Sequence, residues 1–422
     1  MDSERELIAA TASPGVAHSG ALRVLLCFCF AFAVSMLFRA ANGLMAPELM
    51  AELSIAPARM GFVGGVYFLA FGLAMIPAGL ALDRFGPRLT ISVMSLGGIA
   101  GCAIFALSYG WIGLSVGRAL LALACVGTLM GAVATMARWV PPERVAFHVA
   151  AVSAAGGVGN MLATTPLAWL IGWVGWRGAY WVLAVTCLAI ALVIWFGMRD
   201  RPDGKPLESA GESFGSVMAG LRDVMHHKSL WPLVAIQFVV YPAQATIASL
   251  WGGPYLNDVY GLDLTDRSWV LLAMTAIAVP FSFLIGSLDQ RFNSRKRVVI
   301  ALVVVMIAAL LPLALRGDWP LWFATLALCL FSAMGGTIAV LHTHVRFSFP
   351  ERLAGRGLAT LNTAVMVGAY FMNQATGFLV ELLRGDGQAP PLAYQAVFGW
   401  LIVSLFAGIW FYRLVPDARP RA

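Results

Sequence analysis

The sequence predicts an all-α integral membrane protein, twelve transmembrane helices arranged as two pseudo-symmetric six-helix bundles. Three observations carry that prediction. Hydrophobic residues make up 60% of the 422 positions and charged residues only 12%. A soluble domain of this length is never so apolar all round, whereas a bundle facing lipid must be. Apolar runs of about twenty residues, enough to cross a bilayer as helix, recur along the chain. An internal repeat then divides those runs six and six.

The spans follow in order. The first, 22–46, carries Arg39 and Asn42 and ends at Pro47, Glu48 and Glu52. Spans two and three, 60–82 and 89–108, are separated only by "DRFGPR", a turn with Gly86 and Pro87. Span four, 112–138, contains Arg118 and stops at Pro141 and Pro142, where a helix cannot continue. Spans five and six, 147–172 and 176–198, flank "GWRG". Residues 199–230 form the one long hydrophilic break, rich in charge, Gly, Ser and Pro. Spans seven to twelve follow at 231–255, 267–288, 298–316, 320–346, 355–383 and 391–412. The domain reading is therefore a tail 1–21, a bundle 22–198, a linker 199–230, a bundle 231–412 and a tail 413–422.

Charge fixes the expected orientation. Of the 28 Lys and Arg, one side of the predicted membrane holds 21 and the other five: Arg59, Arg177, Arg267, Arg316 and Arg384. Basic residues stay cytoplasmic, so both termini are expected inside. The net charge of +7 is thus a topology signal and does not point to nucleic acid. Cys27, Cys29, Cys102, Cys125, Cys187 and Cys329 lie in apolar runs and read as small packing residues, with no disulfide, metal or cofactor chemistry. The first apolar run is too long for a cleaved signal, and polar residues 1–20 precede it.

The repeat is visible by eye. "RWVPPERVAFHVAA" (138–151) and "RFSFPERLAGRGLA" (346–359) share Arg138/Arg346, Pro142/Pro350, Glu143/Glu351, Arg144/Arg352, Ala146/Ala354 and Ala151/Ala359. "LDRF" (82–85) returns as "LDQRF" (288–292) at a nearly equal offset. Parallel six-helix repeats are a transporter architecture, with the binding site at their interface near mid-membrane.

At this point a family resemblance becomes specific. "GLALDRFGPR" (79–88) resembles the signature loop of the major facilitator superfamily, Gly-x-x-x-Asp-Arg-x-Gly followed by basic residues. Residues 286–297 stand where that family carries a second copy. "GRALLALACVG" (117–127) is similar to its fourth-helix motif, with Ala122 where glycine is usual, and "GWRGAYW" (175–181) resembles its connection before the sixth helix. The resemblance covers the whole chain and names no substrate. It implies alternating access, with spans one, four, seven and ten lining the cavity. It also implies gating roles for Gly79, Asp83, Arg84, Arg88, Asp289 and Arg291. Asp83 would face the start of span eleven near 354–357, and Asp289 the start of span five near 145–148. Arg84 and Arg88 would pair with local acids such as Glu143. The first copy departs from the pattern, since Pro87 and Leu89 leave only Arg88 where two or three basic residues are common.

The residues themselves single out Asp83, because an acid adds nothing to the positive-inside rule. A carboxylate near a helix N-terminus gains about 0.3–1 kcal/mol from the exposed amides. Such contacts form only when the cytoplasmic side is closed.

Polar groups inside spans identify the candidate substrate site. A charge near mid-bilayer costs at least about 2.5–3.5 kcal/mol, so it marks a cavity or pathway. Arg39 and Arg118 qualify, and their positions on antiparallel spans put both about 7–10 Å from the midplane on the outer side. Two guanidiniums at one depth suit a carboxylate or phosphate. Asn42 is one turn from Arg39. Gln237, Tyr241, Gln244 and Trp251 share one face of span seven. Asn373 and Gln374, with Asn160, are weaker candidates in spans eleven and five; Tyr67 and Thr128 are read as core.

The driving force is less marked. No carboxylate falls near mid-membrane; Glu48, Asp258 and Glu381 are near external ends. His342, inside span ten, is the candidate proton carrier, while His344 reads as an interfacial histidine open to water. Gly156, Gly157 and Gly159 precede Pro166 without the Gly-Pro pair of family exporters, which favours uptake. The glycine-rich signature of nitrate permeases is absent. No nucleotide loop or catalytic constellation points to a pump or enzyme. The expected protein is a monomeric secondary transporter of the bacterial inner membrane. It takes up a small organic anion or zwitterion, with protons as a candidate co-substrate. The alternatives are a drug or metabolite exporter, or a non-transporting membrane receptor or assembly partner.

Overall fold

A computed structural model describes residues 14–202, 222–286, 288–384 and 391–417, and the side chains of 14–19, 289–290 and 351–352 fall outside it. Most of the expected N-terminal tail and linker, and the end of the C-terminal tail, thus lie outside the described residues. The described chain is helical, with no strand among the described residues.

Twelve crossings can be followed among the described residues. Span one is Pro14–Glu52. Pro57–Ala106 is a single helical run of 50 residues, far longer than a bilayer requires. It divides at Gly86, whose φ of 82° is available to a residue without Cβ. Spans two and three are therefore 57–85 and 87–106. Pro87 opens span three, where its missing N–H costs nothing, and Asp200 accepts the next amide, Arg88 N, at 2.8 Å.

Span four is Trp111–Cys125 continued by Gly127–Trp139. Thr128, expected in the core, is buried and donates to the Cys125 carbonyl at 2.8 Å, just where the helix is interrupted. Span five, Pro142–Leu162, steps at residues 163–164 and continues to 174. A second positive φ, 71° at Gly175, turns the chain into span six, 176–197. Gly156 and Gly159 bring span five against span one, Gly159 facing the Ala33 backbone. Packing explains that glycine pattern.

Span seven is Leu230–Thr246, a π-helical turn Ile247–Trp251, and Gly252–Tyr260. Span eight is Leu264–Gly286, and a short helix Leu288–Phe292 comes after it. Span nine is Arg295–Leu315. Span ten is Leu321–Ala333, a 3-10 turn Met334–Gly336, and Thr337–Ser348. Spans eleven and twelve are Glu351–Leu383 and Pro391–Tyr412.

The halves meet asymmetrically. At the end bearing the turns after spans one, three, seven and nine, backbones touch: a Cβ on Gly253 would sit 2.0 Å from the Gly43 carbonyl oxygen. Gly61 and Gly377 make a second such approach between spans two and eleven. At the opposite end, which carries the 83–88 turn, Asp83, Arg84, Phe85, Glu143, Arg144, Gly355 and Ala359 are exposed. One end is closed and the other is open.

The last described residues fold back on the open end of the second bundle. Asp417 accepts from Ser294 Oγ at 2.6 Å and from the Lys296 amide at 3.1 Å, capping span nine. Lys296 Nζ donates to the Arg413 and Val415 carbonyls. His344, expected to face water, is fully buried beneath this strap. Its Nε2 donates to the Pro416 carbonyl at 3.0 Å, so Nδ1 accepts from the Tyr412 hydroxyl at 2.5 Å.

Candidate functional site

Span one places Ser35, Phe38, Arg39 and Asn42 along one side by their three- and four-residue spacing. Arg39 is half-buried and crosses the interface between halves: its Nη1 donates to the Tyr241 hydroxyl of span seven at 2.9 Å. Its guanidinium lies 5.0 Å from the Phe71 ring centre and 6.0 Å from that of Tyr241. Nε of Arg39 has no partner among the described residues.

Arg118 is 0% exposed. Its Nη1 donates to the carbonyl of Phe38, the residue beside Arg39, at 2.7 Å. The guanidinium stands 4.6 Å over the Tyr67 ring. Nε and Nη2 make no hydrogen bond of good geometry among the described residues, and the Tyr180 hydroxyl is the polar group nearest to them. A charge-assisted bond of about 1.5–3 kcal/mol and a desolvated cation–π contact of about 2 kcal/mol make its burial tolerable. Neither removes the charge.

Around the two guanidiniums stand only neutral groups among the described residues. Tyr67, read from the sequence as core, lies between them, buried, with its hydroxyl beside the Cys125 thiol. Tyr180 stacks on Phe105 at 3.9 Å, and its hydroxyl faces the Arg118 guanidinium. The Cys125 thiol lies beside Ser35 and Tyr67. Sequence reasoning missed Tyr67, Tyr180 and Cys125. The one available signal was a polar atom inside an apolar span, which ordinary packing also produces.

The remaining candidates are placed less uniformly. Asn42 does not join Arg39; it is fully buried, and its Nδ2 donates at 3.4 Å to the Ser249 carbonyl in the π-turn of span seven. Gln244 donates to the Phe331 carbonyl of span ten at 3.1 Å. Gln237 is fully buried with both amide atoms unpartnered, an enclosed polar group one turn from Tyr241. Trp251 leaves the expected face and bonds Thr376 at 2.8 Å inside the second bundle. The π-turn inserts a residue into the helical repeat and rotates the rest of span seven. Asn373 is buried against Gly61 and Gly65 with its amide unpartnered, and Gln374 is half-buried beside it. His342 is close to Asn362 and lies about 16 Å along span ten from Phe331, towards the open end. It stands apart from the guanidiniums.

The residues expected to gate sit at the open end. Asp83 is exposed and takes no hydrogen bond among the described residues. A Cβ on Gly79 would have nothing within 4 Å. Arg84 lies over the Phe85 ring rather than Glu143. Arg88, also expected to pair with such an acid, donates from Nε to the Trp195 carbonyl at 2.8 Å and covers the Trp195 ring. With this end open, the first bundle's own span six is within reach of Arg88. Arg291 is exposed, and the Asp289 side chain lies outside the described residues.

A polar latch spans the closed end. Arg267 of span eight, 1% exposed, forms an ion pair with Glu48 of span one and donates to the Leu44 carbonyl at 3.0 Å. Glu381 of span eleven accepts the Ala58 amide at the start of span two, at 2.9 Å. Ser268 donates to Thr165 at 3.2 Å, and Trp169 and Trp269 meet edge to face.

Comparisons with known proteins agree with this architecture. The family model described as Major Facilitator Superfamily matches residues 28–372 and 234–422. The chain is 24% identical to the "Probable nitrate/nitrite antiporter NarK1" of Thermus thermophilus, over 93% of this chain and 91% of that one. It is 28% identical to the "Transcription regulatory protein OpdE" of Pseudomonas aeruginosa, over 72% of each. With the "Probable L-galactonate transporter" of Escherichia coli it shares 25% identity over 60% of this chain and 57% of that one. Among solved structures, an inward-facing, occupied bacterial homolog of the human lysosomal transporter Spinster superposes with a TM-score of 0.74. It has 18% identity and covers 93% of this chain and 96% of that chain.

Proposed function

The chain belongs to the Major Facilitator Superfamily, and we propose that it carries a small organic anion into the cell across a bacterial inner membrane by alternating access. One observation carries this reading. Arg39 brings a guanidinium to the junction of the halves, and Arg118 is buried behind it within the first bundle, neither with an acidic partner among the described residues. A carboxylate or phosphate accepting from the Arg39 guanidinium satisfies both its charge and its hydrogen bonds. Two relatives named for transport, of nitrate/nitrite and of L-galactonate, are named for anions.

The positive-inside distribution puts the open end in the cytoplasm, so this conformation is inward-open. Arg39 is half-buried at this junction, where Tyr241 ties it to the second bundle. Closing the open end brings Asp83 towards the start of span eleven. Opening the closed end requires the Arg267–Glu48 pair and the Glu381–Ala58 bond to part. The bound anion favours exchange between these states only to the extent that it binds the occluded form more tightly.

A second reading, a membrane receptor, is favoured by the relative named as a transcription regulatory protein. Proteoliposome uptake separates the two, because a receptor moves no solute. For the anion reading, Arg39→Lys keeps the charge and loses the fork. We expect it to weaken stabilisation by L-galactonate, tartrate or inorganic phosphate at least about tenfold in concentration, read as melting temperature. Unchanged stabilisation removes Arg39 from the site.

A further inference from the structure

An anion recognised through its hydroxyl groups needs amide side chains that face it with donors and acceptors to offer. Here the amides around the junction are withdrawn. Asn42 and Asn373 are 0% exposed, the first bonded to the Ser249 carbonyl and the second packed against Gly61 and Gly65. Gln237 is likewise fully buried, and the Oε1 of Gln374 is enclosed. Gln244 gives an amide N–H to the Phe331 carbonyl. Rings and thioethers stand in the place of amides. The Arg39 guanidinium has Phe71 of span two at 5.0 Å and Tyr241 of span seven at 6.0 Å. Towards the open end, Met75 follows Phe71 by one turn, and both pack with Met130 of span four against Ala74, Ala78 and Val126. On span seven the half-buried Phe238 and Val234 share the side of Tyr241, again towards the open end.

Resting on the anion reading above, we infer that the cargo is an aromatic monocarboxylate. One guanidinium at the junction answers one carboxylate, which it holds close to its own plane. The group attached to that carboxylate then meets Phe71 and Tyr241, where a flat ring packs offset or edge to face against both bundles at once. The Tyr241 hydroxyl accepts from Arg39, and its own proton remains to be donated to the same carboxylate. A polyhydroxylated acid suits the guanidinium equally well. Its hydroxyls, however, leave water for ring faces and methionines and find no partners there. Arg118, enclosed behind span one, adds positive potential without touching the cargo.

The test is thermal stabilisation of the purified protein by benzoate, phenylacetate, L-galactonate, tartrate and inorganic phosphate, with benzamide as the uncharged control. Benzoate or phenylacetate should act at concentrations at least about tenfold below those of the other three anions, a ratio within the reach of an apolar wall. Benzamide should not act. L-Galactonate, tartrate or phosphate acting at equal or lower concentrations overturns this inference and leaves an anion carrier. No stabilisation by any of the five anions, or equal stabilisation by benzamide, overturns the anion reading and this inference with it. A variant locates the preference. Phe71→Leu keeps apolar volume and loses the ring, so the concentration ratio between L-galactonate and benzoate should shrink at least about threefold. Tyr241→Leu serves as the second variant where Phe71→Leu does not fold. A ratio that stays at the wild-type value in a folded variant overturns the assignment of these rings to the cargo.

Discussion

The two ends of the bundle are built from the same helices and behave oppositely. At the closed end, glycine faces let backbones meet, and a buried arginine from one half is paired with a carboxylate from the other. At the open end, Asp83, Arg84 and Phe85 of the family's signature turn are exposed, and the one that is well bonded, Arg88, is bonded within its own half. The signature motifs lie at the end that is open here. The gate that is shut is made of residues in no motif.

The contrast can be broken most severely by filling the closed end. In Gly253→Val the new side chain meets the Gly43 carbonyl, where even a Cβ would lie at 2.0 Å. Overpacking of that kind costs about 3 kcal/mol or more. The population should move from inward-open to outward-open, read as loss of labelling at a cysteine engineered near residue 355. Persistent labelling would show that the halves close without this contact.

A smaller shift is expected from Glu48→Gln, which gives the buried Arg267 a neutral amide acceptor in place of its carboxylate, beside the Leu44 carbonyl. A lost charge-assisted bond is worth about 1.5–3 kcal/mol, partly offset because Glu48 is about one-third exposed. The same labelling assay should move roughly tenfold in the same direction. If Arg267→Gln restores the wild-type distribution in the Glu48→Gln background, the pair acts as a latch; no rescue argues for a merely local role.

Smallest is Asp83→Asn. It should leave labelling and melting temperature of this conformation unchanged, since Asp83 is exposed and unbonded here. Transport, which needs the open end to close, should fall about two- to fivefold, the effect of losing about 0.3–1 kcal/mol at a helix N-terminus. Wild-type rates at equal expression would remove Asp83 from the gate.

How much of this was legible depends on the range over which each interaction acts. The turn at Gly86 and the Arg118 anomaly are local signals and stand out in the sequence. Trp251 was assigned to the wrong face because a π-turn, invisible in a 3.6-residue pattern, intervenes at Ile247–Trp251. His344 looked interfacial because nothing in its own span announces that residues 413–417 will cover it. Arg267 was counted as a topology charge and Glu48 as a carboxylate near an external end, since their pairing joins positions 219 apart in sequence. Tyr67 was set aside as core for the same reason: its neighbours come from other spans.

By itself the sequence determined the solvent, the number of crossings, the twofold repeat and the expected sidedness. Each derives from composition and from charge read one segment at a time, because lipid imposes the same requirement on every span. Only the tertiary structure decided which arginines lack a counter-charge, which end is shut and which contacts shut it. Those properties belong to pairs of groups on different helices, and an ion pair or an unpaired charge exists only once the helices are packed.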